Sequence, residues 1–129
     1  MNIYAVLGED AYFGGDHGLK ETEVITAEND KEALEYAKNL SRNVIREYPC
    51  IYEELEARVE ESCMINDVVY GSGSEDEEQI RSEIYEEDIQ REAAILDVKK
   101  LPTLDLQKLS NLLYDDEESF LKKYVKAYI

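Results

Sequence analysis

Between Asn29 and Pro49 the chain reads NDKEALEYAKNLSRNVIREYP, and this stretch limits the fold more than any other. Ala33, Leu34, Ala37, Leu40, Ser41, Val44, Ile45 and Tyr48 recur at helical spacing and make one apolar stripe. Asn29 and Glu32 stand at capping-box spacing, and Asp30 and Glu32 suit the positive end of the helix dipole. Pro49 ends the helix, because the residue before a proline is pushed out of the helical region. Such a stripe has to be covered by another layer.

The sequence before it supplies one. Residues 2–7, NIYAVL, are rich in strand formers and alternate loosely. Residues 20–27, KETEVITA, set Thr22, Val24 and Thr26 against Glu21, Glu23 and Ile25, which predicts a half-buried strand. GEDAYFGGDHGL between them reads as a long loop, so the two strands make an antiparallel hairpin with a wide tip.

After Pro49, Ile51, Leu55, Val59 and Cys63 recur every four residues and predict a helix over 51–63. Residues 65–74 are a turn-rich connection with room for a short strand at 68–70. Ser74 caps a third helix with a narrow stripe of Ile80 and Ile84, and Ile89 at its end. Residues 93–99 read as a third strand, stopped by Pro102. Thr103 caps a helix carrying Leu104, Leu106, Leu109, Leu112 and Leu113. Asp115 and Glu118 have capping-box spacing for a last helix that carries Phe120, Leu121, Tyr124, Val125 and Tyr128. The order β-β-α-α-α-β-α-α predicts one α+β domain over 1–129, with a small antiparallel sheet of two or three strands and about five helices.

A chain of 129 residues with 43% apolar side chains can build a core. Its apolar runs fall far short of the roughly 20 residues a membrane span needs. MNIYAVLGED lacks the basic region of a signal peptide, so a cytoplasmic location is expected. Cys50 and Cys63 lack CxxC spacing and read as small apolar side chains in a reducing compartment, a disulfide between them being the alternative.

Net charge is −17, from 31 acids and 14 bases. Residues 51–92 hold fifteen of the acids against three bases, while residues 93–129 hold six of each. Nucleic acid and anionic membrane would both be repelled, and a basic protein surface is the natural complement.

Candidate chemistry is sparse. His17 lies beside Asp16 and near Glu9 and Asp10, but it is the sole histidine and reads as an exposed loop residue. The glycine-rich loop around it is acidic and lacks a GK(S/T) pattern, the wrong sign for phosphate. Neither EDEE nor EED follows the calcium-loop spacing. No nucleophile elbow appears. The expectation is a non-enzymatic protein with no cofactor and no metal. Of ten tyrosines, Tyr36, Tyr48 and Tyr124 sit on apolar stripes and read as core. Tyr12, Phe13, Tyr52, Tyr70 and Tyr85 lie in loops or beside acids, where an interface role suits an apolar ring with a polar tip.

The acids are the strongest pointer. A helix over 75–90 would span about 24 Å and carry Glu75, Asp76, Glu77, Glu78, Glu83, Glu86, Glu87 and Asp88. One DNA strand places about seven phosphates in that length. The 51–63 helix adds Glu53, Glu54, Glu56, Glu60 and Glu61. Two adjacent acidic helices would present two rows of negative charge to a basic groove built for nucleic acid. The plainer reading is a solvated face that keeps the protein dispersed.

The stretches ITAENDKEALEYAKNLS and LSNLLYDDEESFLKKYVKAYI resemble the ends of small acidic accessory proteins encoded by bacteriophages. Several of these are anti-restriction or anti-CRISPR inhibitors, and some mimic DNA. The resemblance implies an inhibitor in the host bacterial cytoplasm that occupies a surface, and it carries over no site residues. The expected partner is a basic nucleic-acid-binding protein such as a CRISPR effector or restriction-type enzyme, not nucleic acid or membrane. The partner-binding residues expected are Glu53, Glu54, Glu60, Glu61, Glu75, Asp76, Glu77, Glu78, Glu83, Glu86, Glu87 and Asp88, with Tyr52 and Tyr85 as anchors. The competing expectation is a phage structural or assembly protein that self-associates through Leu and Tyr faces, possible as a homodimer, with its acids merely facing water.

Overall fold

The N-terminal strand formers build β1 (Asn2–Asp10), an inner strand with a neighbour on each side. The computed structural model describes residues 1–10 and 20–129. β2 (Lys20–Ala27) pairs antiparallel with β1, with Tyr4 opposite Ile25. β3 (Ile89–Leu96) pairs antiparallel with the other edge of β1, with Tyr4 opposite Ile95. β4 (Val125–Tyr128) joins β3, giving the order β2-β1-β3-β4. The α+β class is as expected, with four strands where two or three were predicted, and with five α-helices among the described residues.

The two-residue period sends Tyr4, Val6, Ile25, Ala27 and Ala93 to one face, where α1 (Asp30–Glu47) covers them with Ala33, Ala37 and Leu40. Ala5, Val24 and Leu96 point to the other, under Leu109 and Leu113 of α4 (Leu106–Asp115) and Phe120 of α5 (Glu117–Tyr124). β2 is therefore buried on both faces toward its C-terminal end, not half-buried: Val24 and Ile25 are both in the core. Ser110 on α4 accepts the Val24 N–H at 2.8 Å.

α1 is fixed to the sheet at its start and at its middle. Asn29 caps it by accepting the Glu32 N–H at 2.9 Å, as its spacing predicts. The buried Tyr4 hydroxyl donates to Asp30 Oδ1 at 2.8 Å. Further along, a Cβ at Gly8 would stand 2.5 Å from Ala37 O and from Ser41 N, so the glycine lets the helix backbone touch the strand.

α2 (Pro49–Ile65) and α3 (Glu75–Asp88) form a helical hairpin beside the C-terminal end of α1. Val44, Ile45, Ile51 and Leu55 make its small core, with Ile84, Tyr85 and Ile89 against it.

Several boundaries differ from expectation. The last helix stops at Tyr124, and residues 125–128 pair with β3 instead of continuing it. VKAY fits both periods, and the open edge of β3 decides between them. β3 starts at Ile89, not 93, because Gly8 and Glu9 of β1 pair with Arg91 and Gln90. It ends at Leu96, where Asp97 caps a 3-10 turn over Val98–Lys100. No strand forms at 68–70. Asp105, not Thr103, caps α4, accepting the N–H groups of Gln107 and Lys108. Asp116, not Asp115, caps α5 through the Ser119 N–H. Tyr36 and Tyr48 are more than a third exposed and not core, and the Tyr36 hydroxyl donates to Glu23 at 2.7 Å. Tyr124 packs edge-on against Phe120 with centroids 4.9 Å apart. Cys50 is an exposed thiol and Cys63 a buried one, not a disulfide. Tyr12, Phe13 and His17 lie outside the described residues.

Candidate functional site

Ile51, Leu55, Val59 and Cys63 turn inward along α2, as their spacing predicts. The same helical period sends Glu53 and Glu60 out as one row and Glu54 and Glu61 as another. On α3 the exposed acids are Glu75, Asp76, Glu78, Glu83, Glu86 and Glu87. The helices run antiparallel. Ser62 and Asn66 lie beside Asp76 and Ile80, whereas Glu56, earlier in α2, meets Arg81 and Tyr85, later in α3. The acids of α2 span about 12 Å and those of α3 about 18 Å, on axes about 8–10 Å apart.

Arg81 is the main cation holding their register, with Arg58 of α2 3.9 Å from Glu87 and Asp88 of α3 as a second, looser link. Arg81 donates through Nε and Nη2 to Glu56, through Nη2 to Glu77 Oε1 at 3.1 Å, and through Nη1 to Glu78. Glu56 also accepts the hydroxyls of Tyr70 at 3.0 Å and Tyr85 at 2.8 Å. Burial alone would push the Glu56 carboxyl up, but Arg81 and the two tyrosines outweigh it and hold it below the usual carboxylate range. The guanidinium is pushed up in turn, chiefly by Glu56.

Glu77 is 2% exposed. Its Oε2 accepts the Ser72 N–H at 2.9 Å and the Gly73 N–H at 3.4 Å, while its own N–H is capped by Ser74. Gly71 and Gly73 take φ of 86° and 71°, a left-handed backbone that curls the loop around the carboxylate. Burial pushes Glu77 up, and Arg81 with the loop N–H groups brings it net below its usual value.

Of the residues expected to face a partner, Glu77 and Asp88 are buried and serve the fold. Asp88 Oδ1 lies 3.9 Å from Arg58 Nη1 at the junction of α3 and β3. Tyr85 is half-buried, with its hydroxyl committed to Glu56. Glu86 is exposed yet bridges Lys38 of α1 at 2.9 Å and Arg91 of β3 at 3.0 Å; Lys38 foremost holds its carboxyl below the usual range. Tyr52 is half exposed at the start of α2. Glu53, Glu54, Glu60, Glu61, Glu75, Asp76, Glu83 and Glu87 are exposed along the two helices of the hairpin.

The hairpin tip is the turn-rich connection expected over 65–74, but its exposed apolar side chains were not among the expected partner-binding residues. Asp67 has φ 55°, and the Val68 N–H bonds Cys63 O while the Asp67 N–H bonds Met64 O, which closes α2 in a Schellman turn. That turn leaves Met64, Ile65 and Val69 more than 70% exposed. The signal lay in MINDVV, where a two-residue polar turn is flanked by apolar side chains. Arg81 was legible too, as the sole base between Arg58 and Arg91.

Among the described residues, no group of three or more His, Cys, Asp or Glu side chains is placed to hold a metal ion, and no helix is long and apolar enough to cross a membrane. Solvated carboxylates beside an apolar tip can bind a surface of opposite charge. No family model, curated protein or solved structure matches the chain.

Proposed function

We propose that the protein is a non-catalytic inhibitor whose α2–α3 hairpin occupies a basic, nucleic-acid-binding surface of a bacterial defence enzyme such as a CRISPR effector. The observation that carries the reading is the pair of acidic helix faces held in fixed register by Arg81 between Glu56 and Glu77. The two acidic helices lie side by side, with axes about 8–10 Å apart. A cleft shaped for phosphate rows would attract them, with association fastest at low salt. Met64, Ile65 and Val69 give the interface an apolar anchor at one end of the charged faces, and apolar contacts are what the centre of a protein–protein interface uses.

The self-association reading has less support. Leu104, Leu112 and Tyr114 are exposed, but Leu112 and Tyr114 project about 160° apart around α4 and make no common face. The deciding experiment is competition: a purified effector loaded with labelled nucleic acid is titrated with the protein. Release of the nucleic acid, weakening as salt rises, supports the proposal. Effectors that keep their nucleic acid at every concentration, beside closed oligomers of the protein, would leave self-association standing.

A further inference from the structure

A cleft opens where the C-terminal half of α1 meets the start of α2 and the end of α3. Ile45 forms its buried floor, the rings of Tyr52 and Tyr85 line it, and Arg42 and Arg46 stand on its rim. Its volume is about 280 Å³. That is at the lower bound for small-molecule sites, which run from about 300 Å³ upward, so it fits a ring system and not a folded segment.

Two features mark it. First, the chain has more than two acids for every base, yet Arg42 and Arg46 form no ion pair among the described residues, whereas Arg58, Arg81 and Arg91 all do. Arg42 has only a 3.4 Å contact to Asn39 Oδ1. One turn apart, the two arginines have Cβ atoms about 5–6 Å from each other on one helix face, and planar forks suit a carboxylate or phosphate better than ammonium groups do. Second, one of its two aromatic walls is fixed: the Tyr85 hydroxyl is bound to Glu56, which Arg81 grips in turn. Arg42 also borders an adjoining cleft with Glu86, whose carboxylate is already held by Lys38 and Arg91.

The geometry points to a binding site for a small, flat aromatic ligand bearing one anionic group, its ring between Tyr52 and Tyr85 and its anion on Arg42 and Arg46. The overall negative potential disfavours polyanions, but at physiological salt screening over about 8 Å leaves the two nearby guanidiniums dominant for a single small anion. None of the hairpin's exposed acids lines the cleft.

The test is an NMR titration of ¹⁵N-labelled protein at fixed ionic strength with four probes: phenyl phosphate, benzoate, inorganic phosphate and phenol. Saturable shifts at residues 42, 46, 52 and 85 with phenyl phosphate or benzoate are expected, and the tighter of the two names the anionic group. Inorganic phosphate and phenol, each holding half of the recognition, should bind at least about tenfold more weakly. The exposed double variant Arg42→Gln/Arg46→Gln, and Tyr52→Ala separately, should each weaken binding about tenfold or more. Absence of saturable shifts with both aromatic anions, equal binding of inorganic phosphate, or an unchanged double variant overturns the site. So does a probe-free, concentration-dependent shift of the same residues with dimerisation, which would give the cleft to a second copy.

Discussion

Arg81 lies against both carboxylate oxygens of Glu56, with Nε 3.1 Å from Oε2 and Nη2 3.0 Å from Oε1. Glu56 is on α2 and Arg81 on α3, so this pair sets how the two acidic helices stand relative to each other. Replacing Arg81 by Met should destabilise the protein by about 2–4 kcal/mol, the cost of stranding carboxylates whose partner is removed, reduced for the quarter exposure of Arg81. Urea denaturation of Arg81→Met beside Arg81→Met/Glu56→Gln measures it. The double variant should recover part of the loss, because it removes the stranded charge as well.

The same cluster fixes the acid behaviour. Glu56, Glu77 and Glu86 have folded values below their ordinary ones. A depressed carboxylate contributes stability that is present above its unfolded value, about 4.3, and is lost as pH falls through the folded value. In Arg81→Met, Glu56 and Glu77 keep their burial without the cation, so protonation relieves them. The stability gap between parent and variant should therefore be widest near pH 7, begin to close above about pH 4.3 as the variant's buried carboxyls take up protons, and go on closing as pH falls through the parent's depressed values. Thermal melts of both proteins at several pH values follow the gap; one that widens on acidification would contradict the account.

Gly8→Ala tests how α1 sits on the sheet. The new methyl would meet the backbone of Ala37 and Ser41 at 2.5 Å, and neither can move without shifting the helix. A loss of about 3 kcal/mol is expected, at the upper end of overpacking costs, read as a lower denaturation midpoint at unchanged slope.

The sequence disclosed these elements unevenly, and local chemistry explains why. Asn29, Ser74 and the four-residue spacing of Ile51, Leu55, Val59 and Cys63 act within one turn of chain, so their helices were legible. β4 was not, because VKAY follows both periods and only the free edge of β3, about thirty residues earlier, settles it. The inward turn of Glu77 was hidden for a similar reason. An acid in the first turn of a helix is normally solvated, and its burial depends on loop N–H groups and on an arginine one turn away. The burial of Asp88 follows from α3 running straight into β3, a junction with no glycine or proline to mark it.

The exposed tip separates binding from stability. Met64, Ile65 and Val69 make little contact with the fold, so changing all three to Ser should move the melting temperature by only a few degrees or less. Affinity for the target should fall about tenfold or more if they anchor the interface. Melting curves beside binding isotherms distinguish the two effects.

The most direct measurement concerns the hairpin face. Glu53, Glu60, Glu61 and Glu83 are exposed and outside the Arg81 cluster, so their joint change to Lys leaves the fold intact while taking the net charge from −17 to −9. In the competition assay with a nucleic-acid-loaded effector, this variant should be about 100-fold weaker than the parent, or worse, and should lose most of the salt dependence. A variant that melts like the parent and displaces nucleic acid equally well would contradict the proposed role of the acidic face.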